Sequence, residues 1–196
     1  MSKRKSYVTT KQGDTGTTRT LGGEKLSKGH PILECSGHLD TLRAHTALLR
    51  IRLIEAGPPG VDAHADFLWW LLHVYFVMGT EISDPKNAHP EYRQGTVDAA
   101  CLARLEAEQA RLEAALELPK AFIVSASTSL SAEIDLNVTI VRDLERELAR
   151  LRDAVPEFNA GALLAFTNRL SDYLFVLART VEAGNHLNVD YGVLGG

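Results

Sequence analysis

A chain of 196 residues, 45% apolar and 23% charged, is long enough to bury one sizeable core, and domain-size statistics favour a single domain. A formal net charge of −4 argues against a nucleic-acid surface, whose electrostatic footprint is basic, and the one basic cluster, Lys3-Arg4-Lys5, reads as a solvated tail. Cys35 and Cys101 are too few for a disulfide framework and lack metal-type spacing; no apolar leader opens the chain, and its longest apolar run, Phe67 to Met78, is too short to span a bilayer, so a cytoplasmic protein free of membrane is expected.

Residues 1–33 hold six Thr and five Gly among many charges, with no sustained period of either kind, and read as a loop segment. From Glu34 the pattern is helical. Five candidate segments follow: 34–56, stopped by Gly57-Pro-Pro-Gly60; 61–82, stopped by Ser83-Asp-Pro85; 91–117, stopped by Pro119; 128–153; and 157–184, stopped by Gly184. Five helices of 20 to 30 residues with little strand signal predict an all-α, five-helix bundle over residues 34–185, with residues 186–196 as a C-terminal tail. Segment 91–117 carries a Leu102, Leu105, Leu112, Leu116 seam. Segment 61–82 is apolar almost all round, which places it at the bundle centre or under another subunit, and an oligomer is predicted. His73 within it is expected to be a hydrogen-bonded core histidine.

Four features could carry chemistry. Thr9 to Lys28 combines paired glycines, hydroxyls and four cationic side chains, which can offer backbone amides and charge to a polyphosphate; the same composition is common in flexible tails, and no Walker A pattern is present. Arg142-Asp-Leu-Glu-Arg146 puts two guanidinium groups on one helix face beside Glu145, able to clamp a phosphate or carboxylate, or simply to form an ion-pair lattice. Gly37-His-Leu-Asp40 opens the first helix with an acid favoured by the helix dipole. Phe166 to Arg179 sets Asn168 and Asp172 four residues apart in an otherwise apolar helix, a polar pair that needs partners or a ligand.

Taken in order, these pieces resemble the PduO-type ATP:cob(I)alamin adenosyltransferases. Thr10-Lys-x-Gly-Asp-x-Gly-Thr-Thr18, Gly22-Gly-Glu24 and Ser27-Lys28 look like that family's ATP loop; Gly37-x-x-Asp40-x-Leu42 looks like its first helix motif; Arg142-x-x-Glu-Arg146 and Asn168-Arg-Leu-Ser-Asp-Tyr-Leu-Phe175 look like its two C-terminal motifs. The resemblance implies a trimeric five-helix bundle with ATP between neighbouring subunits and an N-terminal ATP-binding loop. It implies transfer of the 5′-deoxyadenosyl group of ATP to cob(I)alamin, a corrinoid, with release of triphosphate and the help of Mg²⁺. By position, Thr10, Lys11, Gly13, Thr18, Arg19 and Lys28 would hold the polyphosphate, and Arg142, Glu145, Arg146 and Asn168 would complete the nucleotide site. Phe122 matches a phenylalanine that displaces the lower axial ligand of the corrin, so that Phe122, Asp40 and Arg142 are the residues implied to be catalytic, with no protein-held metal centre. A cobalamin-dependent enzyme or a reductase is the macromolecular partner implied.

The chain also departs from the family. Val138 stands where members carry an arginine paired with the aspartate of the first helix, Arg43 follows Asp40 where an asparagine is usual, and Ser125-Ala-Ser127 replaces Pro-Gly-Gly. Arg43, three residues from Asp40, is expected to supply the missing cation locally. The alternative these departures raise is a homologue that binds ATP or a corrinoid as sensor, carrier or partner without efficient transfer.

Overall fold

The computed structural model describes residue 11 and residues 13–194. In chain order these form β1 (Thr17–Arg19), β2 (Lys25–Ser27), α1 (Pro31–Ala56), α2 (Val61–Ser83), α3 (Ala99–Glu113), β3 (Ile123–Val124), α4 (Ser129–Ala154), α5 (Gly161–Val181) and β4 (Leu187–Asn188), with 3-10 turns at Pro90–Tyr92 and Tyr191–Leu194.

Local chemistry explains where the helices begin and end. α1 starts three residues earlier than its apolar period suggests, because His30 Nδ1 accepts the Ile32 N–H at 3.2 Å and Pro31, lacking an amide hydrogen, suits the first turn. It stops where Gly57 enters the left-handed region at φ 59° and donates its N–H to the Leu53 carbonyl. α4 opens on a capping box: the Ser131 N–H donates to Thr128 Oγ1 at 3.0 Å and the Thr128 N–H to Ser131 Oγ at 3.1 Å. α3 is the element most shortened relative to the sequence pattern, 15 residues rather than a helix from 91 to 117. Tertiary bonds win there: the buried Glu81 carboxylate accepts the Val97 N–H at 2.7 Å, Arg93 donates to the Asp84 carbonyl, and the helix cannot begin before Asp98, whose carboxylate accepts the Cys101 N–H at 2.9 Å.

α2 packs on α1, α1 on α4, α4 on α5 and α5 on α3. Side chains close the bundle, since Phe67 of α2 meets Tyr173 of α5 at 4.9 Å between centroids and the Arg104 guanidinium of α3 lies 4.5 Å over the Trp70 ring. The core is a continuous cluster that includes Leu39, Leu42, Leu49, Leu68, Leu71, Met78, Leu144, Leu148, Leu170 and Leu177. Cys35 lies inside it, and burial, with the nearby Glu147 charge, pushes its thiol up to about 12, so it packs as an inert apolar group. Within the bundle α2 is not fully enclosed: Trp69 and Phe76 are 53% and 62% exposed, and His73, expected in the core, lies on the same exposed stripe with Nδ1 2.8 Å from the Trp69 carbonyl.

Two small antiparallel sheets sit on the bundle. β1 and β2 pair with Thr18 opposite Leu26, so part of the segment read as loop is an ordered hairpin, with Leu26 packed against the core. β3 and β4 pair with Ile123 opposite Asn188 and Val124 opposite Leu187, which ties the segment between α3 and α4 to the chain beyond α5.

Candidate functional site

The first group of predicted residues lies on the N-terminal loop. The hairpin is held by the Lys28 N–H donating to the Gly16 carbonyl at 2.9 Å and the Gly16 N–H to the Gly13 carbonyl at 3.2 Å. These bonds fold the strand back so that Lys28 Nζ lies beside Gly13, where an added Cβ would stand only 3.1 Å from it. Gly16 at φ 76° and Lys11 at φ 59° both take the left-handed conformation, which bends the loop sharply at two points. Lys11 and Lys28 are exposed and Thr18 half-buried. Arg19 is also exposed but turns to the Gly23 carbonyl, donating from Nη1 at 2.8 Å, so it buttresses the hairpin turn. Thr10 lies outside the described residues.

The second group lies mid-way along α4 and α5. Asn168 Nδ2 donates to Glu145 Oε1 at 3.3 Å, joining the two helices, and the neighbouring Asp172 takes Arg169 Nη1 at 3.0 Å, while Arg169 Nε reaches Glu106 on α3 at 3.2 Å. The polar pair on α5 therefore divides: Asn168 faces Glu145, and Asp172 belongs to an ion network with Arg169 and Glu106. Arg146 pairs with Asp143 along its own helix. Arg142 is exposed and has no ion-pair partner among the described residues, which leaves a cation beside the Glu145–Asn168 bond uncommitted.

Among the described residues no contact joins the two groups. The turn of the hairpin, rather than its Lys28 end, reaches the far end of α4, for Thr20, Gly22, His30, Ala154 and Val155 share the lining of a cavity of about 240 Å³. Arg142 is twelve residues before Ala154, about 18 Å along a helix that rises 1.5 Å per residue. No hydrogen bond or ion pair among the described residues links Lys11, Gly13, Thr18, Arg19 or Lys28 to Arg142, Glu145, Arg146 or Asn168. The cavity itself is small for a nucleotide, carries the carboxylates of Glu24 and Asp84, and is lined by none of the predicted polyphosphate residues.

The third group is Phe122 and Asp40; Phe122 is 78% exposed just before β3, and its carbonyl accepts the Val189 N–H at 2.8 Å. Asp40, on α1, forms the expected ion pair with Arg43, Nη2 to Oδ1 at 2.8 Å, and the Arg43 guanidinium lies 4.6 Å over the Phe76 ring of α2. Val138 is buried, so the position of the absent arginine has become core. A buried ionic cluster at the end of α5, made by Arg179, Glu182 and His186, escapes sequence reading, because Arg179 and Glu182 look there like ordinary last-turn charges. Among the described residues no group of three His, Cys, Asp or Glu side chains converges on a common point.

The chain is similar to known proteins along most of its length. The family model of cobalamin adenosyltransferases matches residues 8–181. The chain is 33% identical over 182 residues to a cobalamin adenosyltransferase of Cupriavidus metallidurans, covering 93% of this chain and 91% of that protein. It is 28% identical over 180 residues to the corrinoid adenosyltransferase PduO of Salmonella typhimurium, covering 91% of this chain and 51% of that one, and so spans about half the length of that relative. The corrinoid adenosyltransferase MMAB of Bos taurus is 30% identical over 91% of this chain and 73% of its own. A solved variant of the PduO-type ATP:corrinoid adenosyltransferase of Lactobacillus reuteri, complexed with cobalamin and ATP, has the same fold, with a TM-score of 0.80 at 23% identity over 93% of this chain and 95% of that one.

Proposed function

The chain belongs to the cobalamin adenosyltransferase family, and from that premise we propose that it transfers the 5′-deoxyadenosyl group of ATP to cob(I)alamin, releasing triphosphate. The observation that carries the reading is Arg142 beside the Glu145–Asn168 bond, facing solvent with no ion-pair partner among the described residues, the cationic loop of the same chain included. Two half-sites of complementary chemistry, joined by no contact among the described residues, are completed when the loop of one protomer faces α4 and α5 of the next. A homotrimer provides that arrangement, and the exposed Trp69 and Phe76 on α2 supply apolar surface for it.

In the reaction the cobalt of cob(I)alamin gives an electron pair to C5′ of ATP as the C5′–O bond breaks and the triphosphate leaves with the bonding pair. The protein's work is to hold C5′ in line with the metal and to stabilise charge on the leaving group. Lys11, Lys28, Thr10 and Thr18 take the polyphosphate with the amides around Gly13 and Gly16, and Arg19 braces the hairpin turn beside them. Arg142 and Arg146 approach from the helical side, and Glu145 with Asn168 orients the nucleoside end. Mg²⁺, where it accompanies ATP, would add charge neutralisation of the triphosphate beside Lys11 and Lys28. Phe122 offers the corrin an apolar lower face, which disfavours an axial ligand and keeps the reduced metal accessible. The Asp40–Arg43 pair supplies a cation to Asp40 locally in place of the one lost at Val138, which supports turnover over a carrier or sensor role.

No described helix is long and apolar enough to cross a membrane, and a cytoplasmic setting, with a cobalamin-dependent enzyme taking the product or a reductase supplying the substrate, fits this chemistry. The deciding experiment mixes the protein anaerobically with chemically reduced cobalamin and Mg-ATP and follows the absorbance change of adenosylcobalamin formation. Catalytic turnover is expected. Binding of ATP without product would mean that the transfer reading is wrong.

A further inference from the structure

The most deeply buried charges in the molecule gather at the foot of the segment that carries Phe122. Arg179, in the last turn of α5, and Glu182, just beyond it, are each 1% exposed. The two carboxylate oxygens of Glu182 are divided among its neighbours: Oε1 accepts the Ser127 backbone N–H at 3.0 Å and Arg179 Nη2 at 3.1 Å, while Oε2 lies 3.0 Å from Arg179 Nε and 2.8 Å from His186 Nδ1. Arg179 Nη2 also donates to Asp135 Oδ2 of α4 at 2.9 Å. Desolvating such charges offsets most of their attraction, so an apolar cluster of the same volume would hold the bundle at least as well. What the cluster provides instead is direction.

The topology shows to what end. Ser127 follows β3 by three residues, and His186 immediately precedes β4. One carboxylate therefore grips both the chain leaving β3 and the chain entering β4. A ladder of two residues per strand is weak alone, and beyond it the Val189 N–H reaches the Phe122 carbonyl. The Phe122 side chain, largely in solvent, has little packing to hold it, so its position is set by the backbone that this clamp fixes.

We propose that Arg179, Glu182 and His186 are positioning residues for the Phe122–Ser127 segment: the buried cluster locks that segment to the C-terminal strand and so sets the height at which Phe122 meets a corrin ring, without itself touching either substrate. The second half of the inference rests on the function proposed above; the first half does not.

Wild type is compared with Glu182→Gln, which removes the charge but keeps the shape, and with His186→Gln, which loosens only the link to β4. In both variants, hydrogen exchange of residues 122–127 and 187–189 is expected to accelerate about tenfold or more while α1 to α4 stay protected, the loss of one well-placed ionic contact. KM for cob(I)alamin should rise by about the same factor with KM for ATP little changed, and bound cob(II)alamin should retain its lower axial ligand more often by electron paramagnetic resonance. Unaltered exchange at 122–127 in both variants overturns the proposal, as does a parallel rise of both KM values, the mark of a merely structural role. If Glu182→Gln does not fold, His186→Gln, which lies outside the helices, carries the same test. A wild type that transfers nothing, with the expected exchange pattern, upholds the clamp and strikes instead at the function it was read to serve.

Discussion

At Arg142 one turn of helix separates two different fates for a guanidinium group. Arg146 spends its charge on Asp143, whereas Arg142, also exposed on α4, meets no carboxylate among the described residues. Arg142→Ala should lower kcat/KM for ATP ten- to a hundred-fold, roughly the 1.5–3 kcal/mol of a hydrogen bond to a charged group, and Arg146→Ala, which must first give up an internal partner, should cost less. Equal losses at the two positions would contradict this ordering. Asp40 and Arg43 pose the opposite case, an exposed i, i+3 pair that contributes little stability. Arg43→Ala should therefore leave Tm nearly unchanged while weakening turnover through the corrin side; a variant with full kcat and full corrin affinity would show that the pair is ornamental.

Glu182 gives the residue scale its pH dependence. Burial pushes its carboxyl up, but the hydrogen bonds from His186, the Ser127 amide and Ser131, with the Arg179 charge, outweigh burial and hold it below the ordinary glutamate range. Asp135, on α4, faces the same arginine. A group whose folded pKa is depressed contributes stability that is fully present above its unfolded value, about 4.3, and is lost as pH falls through the folded one. Wild type should thus lose more stability than Glu182→Gln on acidification from pH 6 to about pH 3, measured by urea unfolding at each pH. Parallel curves would remove Glu182 as a source of acid sensitivity.

Among the elements, the segment from Phe122 to Thr128 combines a tight fit with a mismatch. Ala126 sits at φ 60°, a conformation that glycine takes freely and alanine does not, and the family's Pro-Gly-Gly has glycine at that place. Ala126→Gly should raise stability by about 1 kcal/mol through relief of that strain, less whatever the freer unfolded chain takes back, with no change in the bundle; a destabilised variant would mean the turn is not strained. The same region shows how far a sequence can be read. Most helices are legible because their stops are chemical: Gly57 and Gly184 each follow a period visible in the apolar residues, whereas α3 ends at Glu113, six residues before the expected stop at Pro119. Residues 93–98 are not, since only the buried Glu81 carboxylate, distant in sequence, keeps Val97 out of a helix. Nor is the pairing of β3 with β4, two dipeptides some sixty residues apart whose strand character comes from each other. The polar pair on α5 announces that Asn168 needs a partner, yet Glu145 as that partner and Arg169 as the one that captures Asp172 emerge only when α3, α4 and α5 are packed.

For the whole molecule the question is how two half-sites become one. α2 carries a stripe of Trp69, His73 and Phe76 one turn apart, open to solvent on one side, while Arg50 and Arg43 of α1 lie 5.2 Å and 4.6 Å from the Trp69 and Phe76 ring centroids. Those two cations border the rings without hiding them, as a rim borders the dry centre of an interface. A charge placed in that centre cannot be solvated once a second protomer covers it, so Phe76→Glu should shift the protein from oligomer to monomer in analytical ultracentrifugation, at little cost to the fold because Phe76 is largely exposed within its own chain. The monomer should also lose ATP binding, although every predicted nucleotide contact is intact and Phe76 touches none of them. That second outcome separates a shared site from a self-contained one: a folded Phe76→Glu monomer that still bound ATP with wild-type affinity would mean that one chain holds the nucleotide by itself.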